Sequence, residues 1–488
     1  MRVLIASSEA VPFAKTGGLA DYTTGLARAL AAKGLDAAIV IPYYRAVRES
    51  GLPTTDLGHR FSFAMDNETH EGAVYGASLP AADVPVYFVR HDGFFDRDGL
   101  YGQWGNDFGD NAKRFAFFSR AVIEVILALG LDTDLLHLND WQTSLSAVYL
   151  NSLYASRRGL SKLRTLLTMH NLMFQGLFGP EMMRATGLPA ELFHWQGLEF
   201  YGKLGFLKGG MVFADWLSTV SPTYAKEIQS SEFAYGLEGV VRERADRVVG
   251  ILNGIDSAEW DPRHDPWIPT RYSPSDPSGK TRCREALWKN LRLAGSGKEP
   301  LIAMITRLDS QKGLDLVAET IDRILALPAR FVLLGTGDPW YHHVFGELAA
   351  RRNGDVAVAL RFDNQLAHQI EAGADMLLMP SRYEPCGLTQ MHSLLYGTIP
   401  LARSTGGLAD TVLDASDERL ASGLGNGFAF QEYSASALLS CVERAAKTFA
   451  DKRRWNALVR RAMTEDHSWD AAAEEYLKLY AKILEAQR

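Results

Sequence analysis

Cysteine is scarce: Cys283, Cys386 and Cys441 are the only three among 488 residues. They lie too far apart for a C-x-x-C zinc or redox motif, and an odd, sparse set supports no disulfide framework, so a reducing compartment is expected. No stretch approaches the roughly 18 uncharged apolar residues of a spanning helix. The apolar run within Met1–Glu9 is too short for a signal peptide. A basic excess is missing too. Against 51 Lys+Arg stand 58 Asp+Glu, a net charge of −7, which argues against nucleic acid or an anionic membrane as partner. The chain also lacks G-x-x-x-x-G-K-[ST], H-E-x-x-H, G-x-S-x-G and the protein-kinase set, which sets aside P-loop NTPases, zinc peptidases, α/β-hydrolases and kinases. These absences leave a cytoplasmic globular protein as the expectation.

What is present fits that class, with 47% hydrophobic and 22% charged residues. Short apolar runs at Val3–Ala6, Ala37–Ile41, Leu135–Leu138, Thr165–Thr168, Leu301–Ile305, Phe331–Leu334 and Met376–Met379 read as buried strands. Amphipathic segments alternate with them. Leu19–Lys33 stops at Gly34, and Gly313 to about Leu327 carries Leu314, Val317, Ile321 and Ile324 at helical spacing. This rhythm predicts an α/β protein with parallel sheets and helices on both faces. Gly72–Leu79 and Val84–Arg90 read instead as an antiparallel excursion. Five prolines between Pro262 and Pro277 break the pattern and place a domain boundary near 250. From Ser468 to Leu484, Trp469, Ala473, Tyr476, Leu479, Tyr480 and Ile483 line one face of a core-packing helix.

The hexapeptide Thr-Gly-Gly-Leu-Ala-Asp occurs twice, at Thr16–Asp21 and Thr405–Asp410, each time between a predicted strand and a predicted helix. Ligands of open α/β sheets bind at the carboxyl ends of strands. The polar residues falling there are Ser8, Glu9, Lys15, Gly17, Gly18 and Asp21; Asp140; His170 and Asn171; Arg307 and Lys312; the run Gly335–Asp338; and Arg382, Glu384, Cys386 and Gly387. Glycine pairs let backbone approach a phosphate, helix N-termini carry the positive end of the dipole, and Lys and Arg add charge. Taken singly, each of these residues is more often plain turn chemistry or a solvated group. Together on one edge they point to a phosphorylated ligand. Asp96-Arg97-Asp98 and Asp132-Thr133-Asp134 match the D-x-D pattern of metal-dependent glycosyltransferases, but so short a pattern recurs by chance and Asp is a favoured turn residue. No metal site is expected.

The longer motifs resemble a known family, the bacterial glycogen synthases and plant plastid starch synthases. Lys15–Asp21 is similar to its N-terminal signature and Ser381–Gln390 to its C-terminal one. His170-Asn171, Phe233–Gly239, Asn253–Asp256 and Ser310–Asp315 match between them in order. The resemblance implies a GT-B fold, two Rossmann-like domains facing across a deep cleft. Its expected segments are 1–248 on the acceptor side, 249–465 for the nucleotide sugar, and 466–488 as a helix crossing back to the first domain. It implies retaining transfer of glucose from ADP-glucose to the non-reducing 4-hydroxyl of an α-1,4-glucan such as glycogen, with no cofactor or metal. Glu384, His170, Asp140, Lys312 and Arg307 would be the catalytic set. Lys15, Gly17, Gly18, Asn171, Asn253, Gly337, Phe362, Cys386, Gly387, Leu388 and Thr389 would join Arg307, Lys312 and Glu384 on the donor. Asp21 and Tyr101 would serve the acceptor. Two departures stand out. Met391 occupies the place where many retaining GT-B enzymes carry a second glutamate, and Asn139 replaces a histidine in His137–Trp141. A UDP-glucose-dependent GT-B glucosyltransferase and a catalytically silent glucan-binding regulator are the alternatives.

Overall fold

The structure, a computed structural model, describes residues 1–103 and 105–486. The chain divides into two compact units, Met1–Gly254 with Trp469 onward, and Ile255–Ser468. These limits differ from the expected 248/249 and 465/466. The strand Val248–Gly250 pairs in parallel with Trp216–Thr219 and so keeps the chain in the first sheet beyond 248. Of the segment 466–488, residues 487–488 lie outside the described residues.

The first unit is built on a nine-stranded sheet. Arg2–Ala6 lies near its middle, flanked in parallel by Asp36–Pro42 on one side and Leu135–Asn139 on the other. From Asp36–Pro42 the sheet extends in parallel to Pro85–Arg90, then to Glu68–Ser78 and Thr55–Met65, each antiparallel to the strand before it. From Leu135–Asn139 it extends through Arg164–Met169 and Trp216–Thr219. The expected antiparallel excursion is present, and the sequence reading missed its outer strand. Thr55–Met65 buries only Phe61, Phe63 and Met65, because an edge strand with one face in water leaves no apolar run to read.

The second unit carries six parallel strands, ordered Val356–Ala359, Arg330–Leu334, Leu301–Ile305, Met376–Met379, Ile399–Arg403, Phe428–Phe430. Val332, Leu334 and Leu377 pack one face, Phe331, Leu333 and Leu378 the other, as parallel strands buried on both sides require.

In both sheets the chain winds outward one way, returns to the centre, and winds the other way. The reversals fall between Arg2–Ala6 and Leu135–Asn139, and between Leu301–Ile305 and Met376–Met379. At such switch points the loops leaving adjacent strands diverge and open a crevice. In the second unit, Lys312 and Glu384 follow the two strands that flank the reversal.

The helix Trp469–Glu485 packs within the first unit. A Cβ on Gly25 would meet the Trp469 indole at 2.1 Å, so only glycine admits that ring against helix Gly18–Ala32. Tyr22 donates a hydrogen bond to Tyr476 at 2.8 Å, and the Tyr480 hydroxyl lies 2.8 Å from Nδ1 of buried His137. These contacts fix the helix that begins with the first glycine pair.

Candidate active site

In the second unit, Lys312 ends a short 3₁₀ turn, Ser310–Lys312, after Leu301–Ile305, and Glu384 follows Met376–Met379. Their side chains meet at 2.7 Å, with exposures of 16% and 8%, and Ser381 donates to the same Glu384 oxygen at 3.0 Å. The approach depends on Gly313, whose φ of 70° is left-handed and whose absent Cβ would lie 2.0 Å from the Pro380 carbonyl oxygen. Gln311 bridges the same two loops: its side chain donates to the Tyr383 carbonyl at 3.1 Å, and its own carbonyl accepts from the Arg382 amide at 2.8 Å.

The second copy of the repeated hexapeptide braces this loop from behind. The Gly407 amide donates to the Glu384 carbonyl at 3.0 Å, and Cβ atoms on Gly406 and Gly407 would come within 2.0 and 2.1 Å of the Glu384 and Cys386 carbonyl oxygens. Gln390 draws in the carbonyls of Cys386 and Gly387, each at 3.0 Å. A trans peptide places N–H opposite C=O, so the amides of Gly387 and Leu388 point away from Gln390. With Gly387 left-handed at φ 72° and Leu388 right-handed, the two form a concave pair of donors suited to an anion, ahead of helix Thr389–Leu395. Met391 is fully buried on that helix, where a carboxylate would lose its water.

Other expected donor residues divide. Arg307 is largely exposed and ion-paired with Asp309 at 3.2 Å, and Phe362 is 84% exposed beyond the strand Val356–Ala359. Gly337 is there for close backbone approach: a Cβ would lie 2.4 Å from the Leu308 carbonyl oxygen, and its amide already donates to Nε2 of His342 at 3.1 Å.

In the first unit the expectation for the glycine turn needs correction. The amides of Thr16 and Gly17 donate to Glu9 at 2.5 and 3.2 Å, and the Thr16 hydroxyl reaches the other Glu9 oxygen at 2.6 Å. That pair of amides therefore embraces a buried carboxylate of the protein's own, so the part of the turn left to meet a ligand starts at Gly18. Tyr101, expected on the acceptor side, donates to Glu9 at 2.5 Å and lies 2.7 Å from the Ser8 hydroxyl. Glu9 is the hub; the sequence placed it at the strand end but gave it no role. Its signal was an acidic side chain directly behind the first buried strand. Exposed Lys15 pairs with half-buried Asp21 at 2.7 Å. Asn253, at the far edge of the same sheet, is 9% exposed and its side-chain oxygen has no protein partner.

Asp140 sits at the mouth of the switch point with φ 54°, a left-handed backbone that a non-glycine residue adopts at a cost. Its carboxylate accepts from the His170 amide at 2.7 Å and also from the Asn171 amide. Asn139 explains the departure from the family pattern. Its Nδ2 donates to the Ala6 carbonyl at 3.0 Å, which turns Oδ1 toward Nε2 of His170 at 2.9 Å. The His170 ring must then carry its proton on Nε2 and keep Nδ1 as an acceptor. Burial drives the His170 pKa down to about 3, so the ring is neutral near pH 7.

Burial pushes the Asp140 pKa from 3.8 up to about 7, helped by the charge of Glu9 and opposed by the two backbone donors. A carboxyl whose folded pKa exceeds its unfolded value holds its proton more tightly when folded, so its ionisation costs stability as pH rises. In an Asp140→Asn variant, the gain in unfolding free energy over the parent should grow from about pH 4 to about pH 7 and then level off. A difference independent of pH in denaturant titrations would contradict this.

Three of the four D-x-D aspartates are engaged elsewhere: Asp96 pairs with Arg45 and Arg48, Asp98 with Arg45, and Asp134 accepts from the Arg2 amide. Among the described residues no three His, Cys, Asp or Glu are grouped to hold a metal ion.

A family model described as starch synthase catalytic domain matches residues 2–243, and one for glycosyl transferases group 1 matches 292–460. The chain is 44% identical to a glycogen synthase of Syntrophotalea carbinolica over 99% of both chains. It is 45% identical to one of Anaeromyxobacter dehalogenans, covering 99% of this chain and 100% of the relative. The chain belongs to the glycogen and starch synthase family. Its structure is similar to the catalytic domain of starch synthase IV from Arabidopsis thaliana, solved with ADP and acarbose, at 33% identity, a TM-score of 0.90 and 99% coverage of both. A sucrose-phosphate synthase from Thermosynechococcus elongatus, at 17% identity, TM-score 0.59 and full coverage of both chains, shares the fold. The chain is thus a glycosyltransferase of the GT-B fold. No described helix is long and apolar enough to cross a membrane.

Proposed function

We propose that the chain transfers glucose, with retention of configuration, from ADP-glucose to the non-reducing 4-hydroxyl of an α-1,4-glucan, releasing ADP in the cytoplasm. The observation that carries the reading is its likeness, over 99% of its length, to a starch synthase domain whose structure holds ADP and acarbose. Breaking the C1–O bond builds positive charge on the sugar and negative charge on the diphosphate. Lys312 and Arg307 would neutralise the latter, helped by the outward amides of Gly387 and Leu388 and by Thr389 at the following helix start, with Lys15 and the turn from Gly18 onward as a further contribution. Glu384, already held by Lys312 and Ser381, would bind the glucose hydroxyls, and Phe362 would lie against the adenine. Asp140, His170 and Asn171 would line the sugar pocket, Asn253 would meet the donor through its unpartnered amide oxygen, and Asp21 and Tyr101 would serve the acceptor. With configuration kept, attack comes from the face the leaving group departs, and a donor phosphate oxygen takes the acceptor proton.

The decisive experiment follows labelled glucose from ADP-glucose and from UDP-glucose into glycogen. Transfer from ADP-glucose should dominate; preference for UDP-glucose, or no incorporation from either, overturns the reading. The engagement of Asp96, Asp98 and Asp134 with arginines and backbone supports a reaction without metal. Activity should therefore persist in excess EDTA, whereas a loss restored by Mn²⁺ would refute metal independence.

A further inference from the structure

Beyond His170 and Asn171 the chain of the first unit leaves its main sheet and forms a small three-stranded antiparallel sheet, Leu177–Phe178, Lys203–Gly205 and Glu199–Phe200. Phe200 pairs with Lys203, so Tyr201-Gly202 is a two-residue hairpin turn. Both turn residues are left-handed, at φ 49° and 77°. Such turns favour Asn, Asp or Gly first, and a tyrosine there is strained. The strain is not offset by burial, because Tyr201 is 80% exposed.

A second pair repeats the arrangement. Tyr235-Gly236 has φ values of 51° and 88°, and Tyr235 is also exposed. The two turns abut: the Cβ position of Gly236 lies 3.2 Å from the Tyr201 ring and 3.1 Å from that of Phe200. Gln175 ties the loop after Asn171 to this pair by donating to the Tyr235 carbonyl at 3.1 Å. Exposed Phe174 neighbours Gln175, and Trp195, 72% exposed, stands on the preceding loop, whose carbonyl the buried Lys208 ammonium grips together with that of Glu199. The Glu199 carboxylate is in turn engaged by the Gly202 amide at 2.7 Å. Three exposed rings thus stand on this insertion and a fourth, Tyr235, on the turn packed against it, with the Lys208 ammonium and the Glu199 carboxylate engaged by backbone.

We propose that Tyr201 and Tyr235, with Phe174 and Trp195, form a docking surface for a neutral α-glucan chain, distinct from the residues assigned to transfer. Flat rings with polar rims stack on the C–H faces of pyranose rings while their hydroxyls reach the sugar's edge. A chain of net charge −7 disfavours a polyanion, and exposed aromatic faces suit an uncharged polysaccharide. Bulky side chains held on strained turns without burial mark a surface kept for binding. The proposal rests on the glucan-acceptor reading above, and it adds an anchor that holds long polymer near the enzyme between transfers.

The test is the double variant Tyr201→Asn, Tyr235→Asn. Asparagine is at home in left-handed turns, so the thermal midpoint should hold or rise while both rings are lost. The half-saturating glycogen concentration should rise at least about fivefold, the size of a lost aromatic contact. Retardation in native gels containing glycogen should weaken, and kcat with maltotriose should stay unchanged. Undiminished retardation and half-saturation in the variant overturn the proposal. So does a fall in molecular mass by light scattering, which would make the patch a contact between copies of the chain. Parent protein that is retarded by glycogen yet transfers no glucose defeats the transfer reading alone. An active parent matched in every respect by the variant defeats the docking proposal alone.

Discussion

Replacing Lys312 by Ala should lower kcat by about 10²–10³-fold, the usual cost of removing one donor aimed at charge that develops in the transition state. The geometry behind this is the buried contact at 2.7 Å between Lys312 and Glu384. Removing the ammonium has a second consequence. Glu384 would keep only the Ser381 hydroxyl as a side-chain partner, and a buried carboxylate deprived of its cation destabilises a fold by up to about 3 kcal/mol. The two effects separate experimentally. Lys312→Ala should lose turnover even at temperatures well below its lowered melting midpoint. Lys312→Met with Glu384→Gln should recover stability without recovering rate. A Lys312→Ala enzyme with near-parental kcat would remove this residue from the transfer step.

Gly407→Ala is expected to have the next largest effect, and Gly17→Ala almost none on stability, although both residues belong to the glycine pairs of identical hexapeptides. At Gly407 the new methyl would sit 2.1 Å from the Cys386 carbonyl oxygen and 2.5 Å from its Cα. Backbone cannot turn aside as a flexible side chain can, so the loop bearing Glu384 must shift. Overpacking of this kind costs about 1–3 kcal/mol. A displacement near 1 Å at a reacting centre costs about 10²-fold in rate. At Gly17 nothing lies within 4 Å of the Cβ position, and its φ of −157° suits any residue. Its melting midpoint should match the parent's, since surface changes of this sort stay within about 0.5 kcal/mol. Equal melting and equal kcat for Gly407→Ala and the parent would show that the second hexapeptide does not brace the Glu384 loop.

Much of this molecule was legible before any coordinates. The apolar runs at Val3–Ala6, Leu135–Leu138, Leu301–Ile305 and Met376–Met379 all lie in strands, because a parallel strand buried on both faces must be apolar at successive positions. Lys312 and Glu384 were legible as strand-end residues of suitable charge. Their pairing was not, since 72 residues separate them and only the order of strands in the sheet makes them neighbours. Thr55–Met65 escaped because a solvated edge strand lacks the apolar signal. The role of Asn139 escaped for a different reason. A substitution reads as a loss until its amide is seen, oriented by the Ala6 carbonyl, supplying the acceptor His170 needs.

The amino-acid order alone established the strand–helix alternation, the family and the residue types that stand at the strand ends. These depend on local periodicity and on short contiguous motifs. Tertiary structure decided which backbone amides face outward and which embrace Glu9, and which glycine pair braces a loop instead of meeting solvent. It also decided that Asp140 titrates near 7 while His170 stays neutral. Those properties arise from partners far away in the chain and from the exclusion of water, and neither is set by a residue's immediate neighbours in sequence.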